Sequence, residues 1–253
     1  ESYLKNSRIV YDLILGGFLE KYGLREIDHL IIVPDGPLKK VAFNALAIND
    51  NKNWSAPNTY LLSKCAISYL YYCAQLEKEE KSYVSKDGFV GFGIEYEDDF
   101  LKEIINDYMS NFKEDTDNSR AISLRPLKYA DDEVLTTAKI LEGKPIINSA
   151  VTPKEVFSTI NNFDVVHFSA HAFVDEDDYM NSFVVLNKDD GDNYQLKYSD
   201  ILNLDIDSEM IVLSACQTGS GKNVVGEGLM SLSRAFVQSG SNTAVGAYWN
   251  APD

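Results

Sequence analysis

Residues 211–240 read IVLSACQTGSGKNVVGEGLMSLSRAFVQSG, an apolar run, a small-residue loop and an amphipathic segment in succession. Ile211, Val212 and Leu213 lead into the small pair Ser214–Ala215, and Cys216 follows at once. This pattern predicts a strand, a glycine-rich turn and a helix packing back on the sheet. In open α/β sheets, ligands bind just beyond the carboxyl ends of the strands, where Cys216 is expected. Upstream, residues 164–170 (DVVHFSA) form a second apolar run that ends at His171. A cysteine and a histidine, 216 − 171 = 45 residues apart, are thus each expected at the tip of a buried strand. That pairing points to nucleophilic chemistry by a Cys-His dyad.

The rest of the chain supports the same layout. His29–Val33 and the segment Lys64–Tyr69 read as strands, as do Phe89–Ile94, Pro145–Asn148, Phe183–Leu186, Gln195–Tyr198 and Thr243–Tyr248. Between them lie helical periods. Leu4–Tyr22 places Val10, Leu13, Ile14, Phe18 and Lys21 on or near one face, with Gly23 as the stop. A helix is expected from Tyr69 towards Glu80, and another period sits in the acidic stretch Glu95–Asn118, the one candidate internal boundary. Asp131–Leu141 turns Val134, Leu135, Ala138 and Leu141 inward. Thr152-Pro153-Lys154-Glu155 is a helix start, with a capping hydroxyl, a proline in the first turn and a glutamate three residues on. The last helix is expected to use Leu229, Leu232, Ala235 and Phe236 and to close at Gly240. Alternating strands and helices predict an α/β fold with a mostly parallel sheet covered on both faces.

Composition narrows the function. The chain has 253 residues with 39 Asp and Glu against 23 Lys and Arg, a formal charge of −16. So acidic a surface argues against nucleic acid as a direct ligand, since phosphate binding needs basic residues. No apolar run reaches the ~20 residues that span a bilayer, so no membrane is implied. Three cysteines, Cys65, Cys73 and Cys216, are too few for a disulfide framework and suit a reducing, cytoplasmic compartment. The sequence opens on Glu1 and stops at Asp253 just after an expected strand, which suggests an excised part of a longer chain.

Each candidate has a plainer alternative. Cys65 and Cys73 read as packed structural cysteines, and His29 and His167 as satisfied core or surface histidines. His167 and His171 are four apart, but on a strand that is roughly 13 Å, too far to share a metal ion. No metal or other cofactor is implied. Residues 218–223 (TGSGKN) resemble part of a phosphate-binding loop, but Cys216 and Asn223 occupy positions that need Gly and Ser or Thr. Gly91-Phe92-Gly93 fails as a dinucleotide fingerprint because Tyr96 replaces the third glycine. The acidic loop Asp175–Asp178 reads as solvated surface, with selection of basic peptides as its functional alternative.

Taken together, HFSAH (167–171), LSACQTG (213–219), GEGLMSLSRAFVQSG (226–240) and the terminal YWNAPD resemble the CHAT domain, the caspase-like domain often attached to tetratricopeptide repeats and akin to separase. The likeness extends to LIIVPDGPLKKVAFNAL and to the stretch from Leu127 to His171. It implies a single domain over 1–253 with a caspase-like α/β/α sandwich, an N-terminal subregion of about 1–120 and a catalytic half of about 121–253. It also implies peptide-bond cleavage through a thiol acyl-enzyme. By this resemblance Cys216 is the nucleophile and His171 its partner, and the backbone N–H groups of Cys216 and Ala172 form the oxyanion hole. Ser214, Tyr248, Trp249 and Asn250 would contact a protein or peptide substrate. A tetratricopeptide-repeat module or an activating partner is the implied regulator. A catalytically silent scaffold of the same family and a nucleotide-binding α/β domain are the alternatives.

Overall fold

The computed structural model describes residues 2–23, 27–50, 53–77, 88–112, 124–175, 177–215, 221–224 and 228–247. The chain divides into two compact units, one of residues 1–80 with 225–228, the other of 81–224 with 229–253.

In the first unit, α1 (Ser2–Tyr11) runs through a π-helical turn, Asp12–Gly16, into α2 (Gly17–Tyr22). Gly23 ends it at φ 75°, where its N–H reaches the carbonyl of Leu19 at 2.8 Å, a left-handed cap that suits glycine. The π turn shifts the helix face, because each of its turns takes up extra residues. Tyr11 and Leu19 are therefore buried, whereas Leu13 and Phe18, expected inside on a uniform helical period, are exposed. Strands β1 (His29–Ile32) and β2 (Ala66–Tyr69) pair in parallel. Leu61, Phe43 and Cys65 join the helix's buried residues in this unit's core. Past β2, a short 3-10 helix over Cys73–Glu77 stands where the longer helix was expected.

The second unit is built on a five-stranded sheet. Its strands are β3 (Phe89–Gly93), β4 (Lys144–Ile147), β5 (Val165–Ser169), β9 (Met210–Ser214) and β12 (Thr243–Gly246). They lie in the order β12-β9-β5-β3-β4, and every pairing is parallel. Parallel pairing demands crossover connections, which the intervening helices provide. β5 and β9 are direct neighbours in the middle of the sheet, in a register that sets Ser169 opposite Ser214. β12, expected to be buried, is an edge strand with half-exposed faces.

One face of the sheet stacks aromatics. Phe92 and Phe168 lie 5.0 Å apart, and Phe168 is 5.8 Å from Phe236 of α7 (Leu232–Gln238). The other face meets α4 (Ala130–Ile140), which buries Val134 and Ala138. Two glycines admit this helix. A Cβ on Gly93 would fall 2.8 Å from the carbonyl oxygen of Ala130, and one on Gly91 would fall 2.7 Å from Val134. The GFG triplet is thus a helix seat rather than a nucleotide fingerprint. Leu135 and Leu141, expected inside, stay largely in solvent.

The remaining elements close the unit. α3 (Asp98–Phe112) buries Leu101 and Ile104. Its Tyr108 stacks at 4.6 Å on Phe173 of an antiparallel sheet made of β6 (Ala172–Phe173), β7 (Phe183–Val185) and β8 (Gln195–Lys197). The helical period of the acidic stretch is thus a packed helix over Asp98–Phe112, and the end of the stretch, expected as a mobile connection, lies outside the described residues. α5 (Pro153–Thr159) starts as expected, with Thr152 Oγ1 accepting the Glu155 N–H at 3.2 Å. α6 (Tyr198–Leu202) precedes β9.

After β9 the chain departs from a strand-loop-helix unit. Residues 221–224 form β10 (Gly221–Val224), paired with β11 (Gly228–Ser231), and α7 begins only at Leu232. Leu229 belongs to β11 and not to the helix. A phosphate-binding loop hands over directly to a helix N-terminus. Here residues 221–224 are extended and the helix starts only at Leu232, which argues against the nucleotide reading.

Candidate active site

His171 stands just past the end of β5 and is buried. Its ring is fixed on two sides. Nε2 lies 2.7 Å from the carbonyl oxygen of Arg125. A carbonyl can only accept, so Nε2 carries the proton, and in the neutral ring Nδ1 is the basic nitrogen. The Tyr96 ring stacks on the imidazole with centroids 4.9 Å apart. The backbone carbonyl orients this ring as a carboxylate orients the histidine of a triad.

Tyr96 also holds the histidine's backbone. Its hydroxyl accepts the N–H of His171 at 2.9 Å and donates to the carbonyl of Val185 at 2.8 Å. The N–H of Val185 in turn reaches the carbonyl of His171 at 2.8 Å. The phenol thus wedges into the first rung of the β6-β7 ladder and replaces one of its two hydrogen bonds. Burial pushes the Tyr96 hydroxyl well above the ordinary phenol range, although the His171 N–H opposes this, so it remains a neutral donor.

The ladder also fixes the next residue. Ala172 faces Val184, one step from the bonded His171–Val185 pair. Antiparallel pairs alternate between bonded and non-bonded, so the Ala172 N–H turns away from β7.

On the α4 face of the sheet, a polar cluster gathers around Glu133. His167 Nε2 lies 3.0 Å from Oε1, while Oε2 accepts from Ser169 Oγ at 2.6 Å and from Ser214 Oγ at 3.4 Å. Burial pushes the Glu133 carboxyl up, but the hydrogen bonds from His167 and Ser169 pull it down further, and it ends below the ordinary carboxyl value. His167 is thereby a satisfied core histidine, as expected. His29 is one at the surface, 2.8 Å from Ser68 Oγ.

The other expected residues divide. Cys65 is buried, and burial raises its thiol pKa, which suits an inert packed cysteine. Cys73 is exposed, not packed. In the acidic loop, Asp175 accepts the N–H groups of Asp177 and Asp178, each at 2.8 Å, and so serves to shape its own turn. Cys216, Tyr248, Trp249 and Asn250 lie outside the described residues. Ser214 is exposed at the end of β9.

Three groups carried no sequence signal as site residues: Tyr96 and the Arg125 carbonyl, which meet the His171 ring, and Glu133, which meets His167, Ser169 and Ser214. Tyr96 follows the strand beside the one that leads to His171, the single hint that it could reach the ring.

The five-stranded parallel sheet and its flanking helices define a caspase-like α/β/α sandwich. A family model, the CHAT domain, matches residues 5–253, and the chain belongs to that family. Mouse (Mus musculus) tetratricopeptide repeat protein 28 is 23% identical to it over 160 residues, covering 50% of this chain and 6% of that protein. The chain therefore spans only a small part of this curated relative's length.

Proposed function

We propose that this domain is a cysteine endopeptidase that works through Cys216 and His171. The observation that carries this is the histidine itself: a buried imidazole just past a central strand, with its proton held on Nε2 by the Arg125 carbonyl. The register supports the pairing. Ser169 and Ser214 are partners, and His171 and Cys216 each come two residues later in sequence.

The chemistry follows from these residues. The thiol gives its proton to the basic nitrogen of His171, and the thiolate attacks the scissile carbonyl carbon. The carbonyl π electrons move to oxygen, where the N–H groups of Ala172 and Cys216 receive the charge. An oxyanion donor of this kind contributes about 10²–10³ in rate. The imidazolium protonates the departing amine as the C–N bond breaks and leaves a thioester. Water, deprotonated by His171, then releases the acid and restores the thiol.

One family unit over 1–253 is proposed, in which both halves serve the dyad, since β3 and Tyr96 precede the catalytic half at about 121–253. The mouse relative's name supports a tetratricopeptide-repeat module as the regulator, with a protein or peptide as substrate. A reducing cytoplasm would keep the thiol free. Among the described residues, no helix is long and apolar enough to cross a membrane.

A panel of thiol-reactive peptide probes with varied sequences tests the reading. Selective labelling of Cys216 over Cys65 and Cys73 is expected, with a loss of about 10²-fold or more in rate for His171→Ala. Equal labelling of all three cysteines, or an unchanged rate in His171→Ala, sinks the proposal.

A further inference from the structure

The cleavage chemistry leaves one ionisable cluster at the ends of the two central strands unused. Glu133 stands in the first turn of α4 and reaches the ends of both central strands through Ser169 and Ser214. Three donors converge on it and keep it ionised. Among the described residues no Lys or Arg pairs with it, and the one nearby base, His167, is held by the same carboxylate. Asp131 and Asp132 share its helical turn and add to the negative charge.

A purely structural account would be a polar tie between helix and sheet, with an acid that suits the helix N-terminus. Exposure argues against that as the whole role. The Glu133 side chain is 38% exposed, whereas that of His167 beneath it is 11% exposed. The Glu133 side chain is thus partly open to solvent and in hydrogen-bond contact with Ser214, itself exposed and two residues before Cys216 in sequence. Its donors fix its position before any ligand arrives, and each oxygen keeps capacity for a further hydrogen bond.

We infer that Glu133 forms the floor of the pocket that receives the substrate side chain on the acyl side of the cut bond, and that the enzyme cleaves after Arg or Lys. This rests on the cysteine-protease reading. A guanidinium or ammonium group entering past Ser214 meets a preorganised anion and makes a charge-assisted hydrogen bond. An aspartyl side chain is repelled there, and a leucyl one leaves the carboxylate without a partner as water is excluded.

The test uses peptide acyloxymethyl ketones that differ only in the residue beside the warhead: Arg, Lys, Leu or Asp. In the wild-type chain, Cys216 should react at least about 10-fold faster with the Arg and Lys probes than with the other two. Glu133→Gln, which keeps the shape and removes the charge, should cut that preference about 10-fold, read as the ratio of the Arg rate to the Leu rate within the same variant. Faster labelling by Leu or Asp in the wild type overturns the specificity and leaves the protease reading standing. So does an equal fall with all four probes in Glu133→Gln, since that is the mark of a structural tie. If no probe reacts at Cys216, both readings fall together. The wild-type comparison needs no variant, so misfolding of Glu133→Gln does not rescue the inference.

Discussion

A single hydroxyl does much of the work of holding the histidine. Tyr96 satisfies one N–H and one C=O that the β6-β7 ladder would otherwise have paired, and its ring forms one wall against the imidazole. Tyr96→Phe keeps the wall and removes the hydroxyl, which strands both backbone groups in a buried site. Leaving such groups unpaired costs about 1–3 kcal/mol each, and some of that is recovered by relaxation. Denaturant unfolding of Tyr96→Phe should show a loss of about 1–3 kcal/mol together with slower probe labelling at Cys216. Unchanged stability would mean that the ladder closes without the phenol.

Among the elements, α4 and β3 decide how closely helix and sheet approach. Gly93 has backbone of α4 where a Cβ would go, while nothing lies within 4 Å of a Cβ placed on the exposed, helical Gly17. The same substitution should therefore have opposite signs at the two sites. Gly93→Ala is expected to destabilise the chain by about 1–3 kcal/mol through overpacking. Gly17→Ala is expected to stabilise it by roughly 0.5–1 kcal/mol, through lower backbone entropy in the unfolded chain. Thermal melts of the two variants read both. Destabilisation by Gly17→Ala, or none by Gly93→Ala, would contradict the packing described. The same seat explains the short reach of α4's apolar face. The helix lies so close to the sheet that Val134 and Ala138 fill the gap, which leaves Leu135 and Leu141 outside.

At the scale of the molecule, charge sets the terms. With a formal charge of −16, the folded chain works against its own repulsion. Salt screens that repulsion, with a Debye length of about 30 Å at 0.01 M and about 8 Å at 0.15 M. Raising sodium chloride between these limits should raise the melting temperature by about 2–4 °C, the shift that roughly 1 kcal/mol gives in a chain of this size. A fall in melting temperature would show that local ion pairs, such as Lys188 with Glu103, outweigh the net charge.

The sequence by itself determined the α/β class, the cap at Thr152, the strands that lead to His171 and Cys216, and the placing of His171 at a strand end. All of these are local: a period of two or 3.6, a capping hydroxyl, or a glycine is read within a few residues of where it acts. Tertiary structure alone decided which groups meet the histidine and the strand ends. His171 finds Arg125 46 residues away and Tyr96 75 residues away, while Glu133 reaches Ser169 across 36 residues and Ser214 across 81. The turn in α1–α2 and the extended β10 belong to the same class, since packing there overrode a helical period and a glycine-rich loop. Periodicity tells a side chain which face to take, but only the order of strands in the sheet decides what waits on that face.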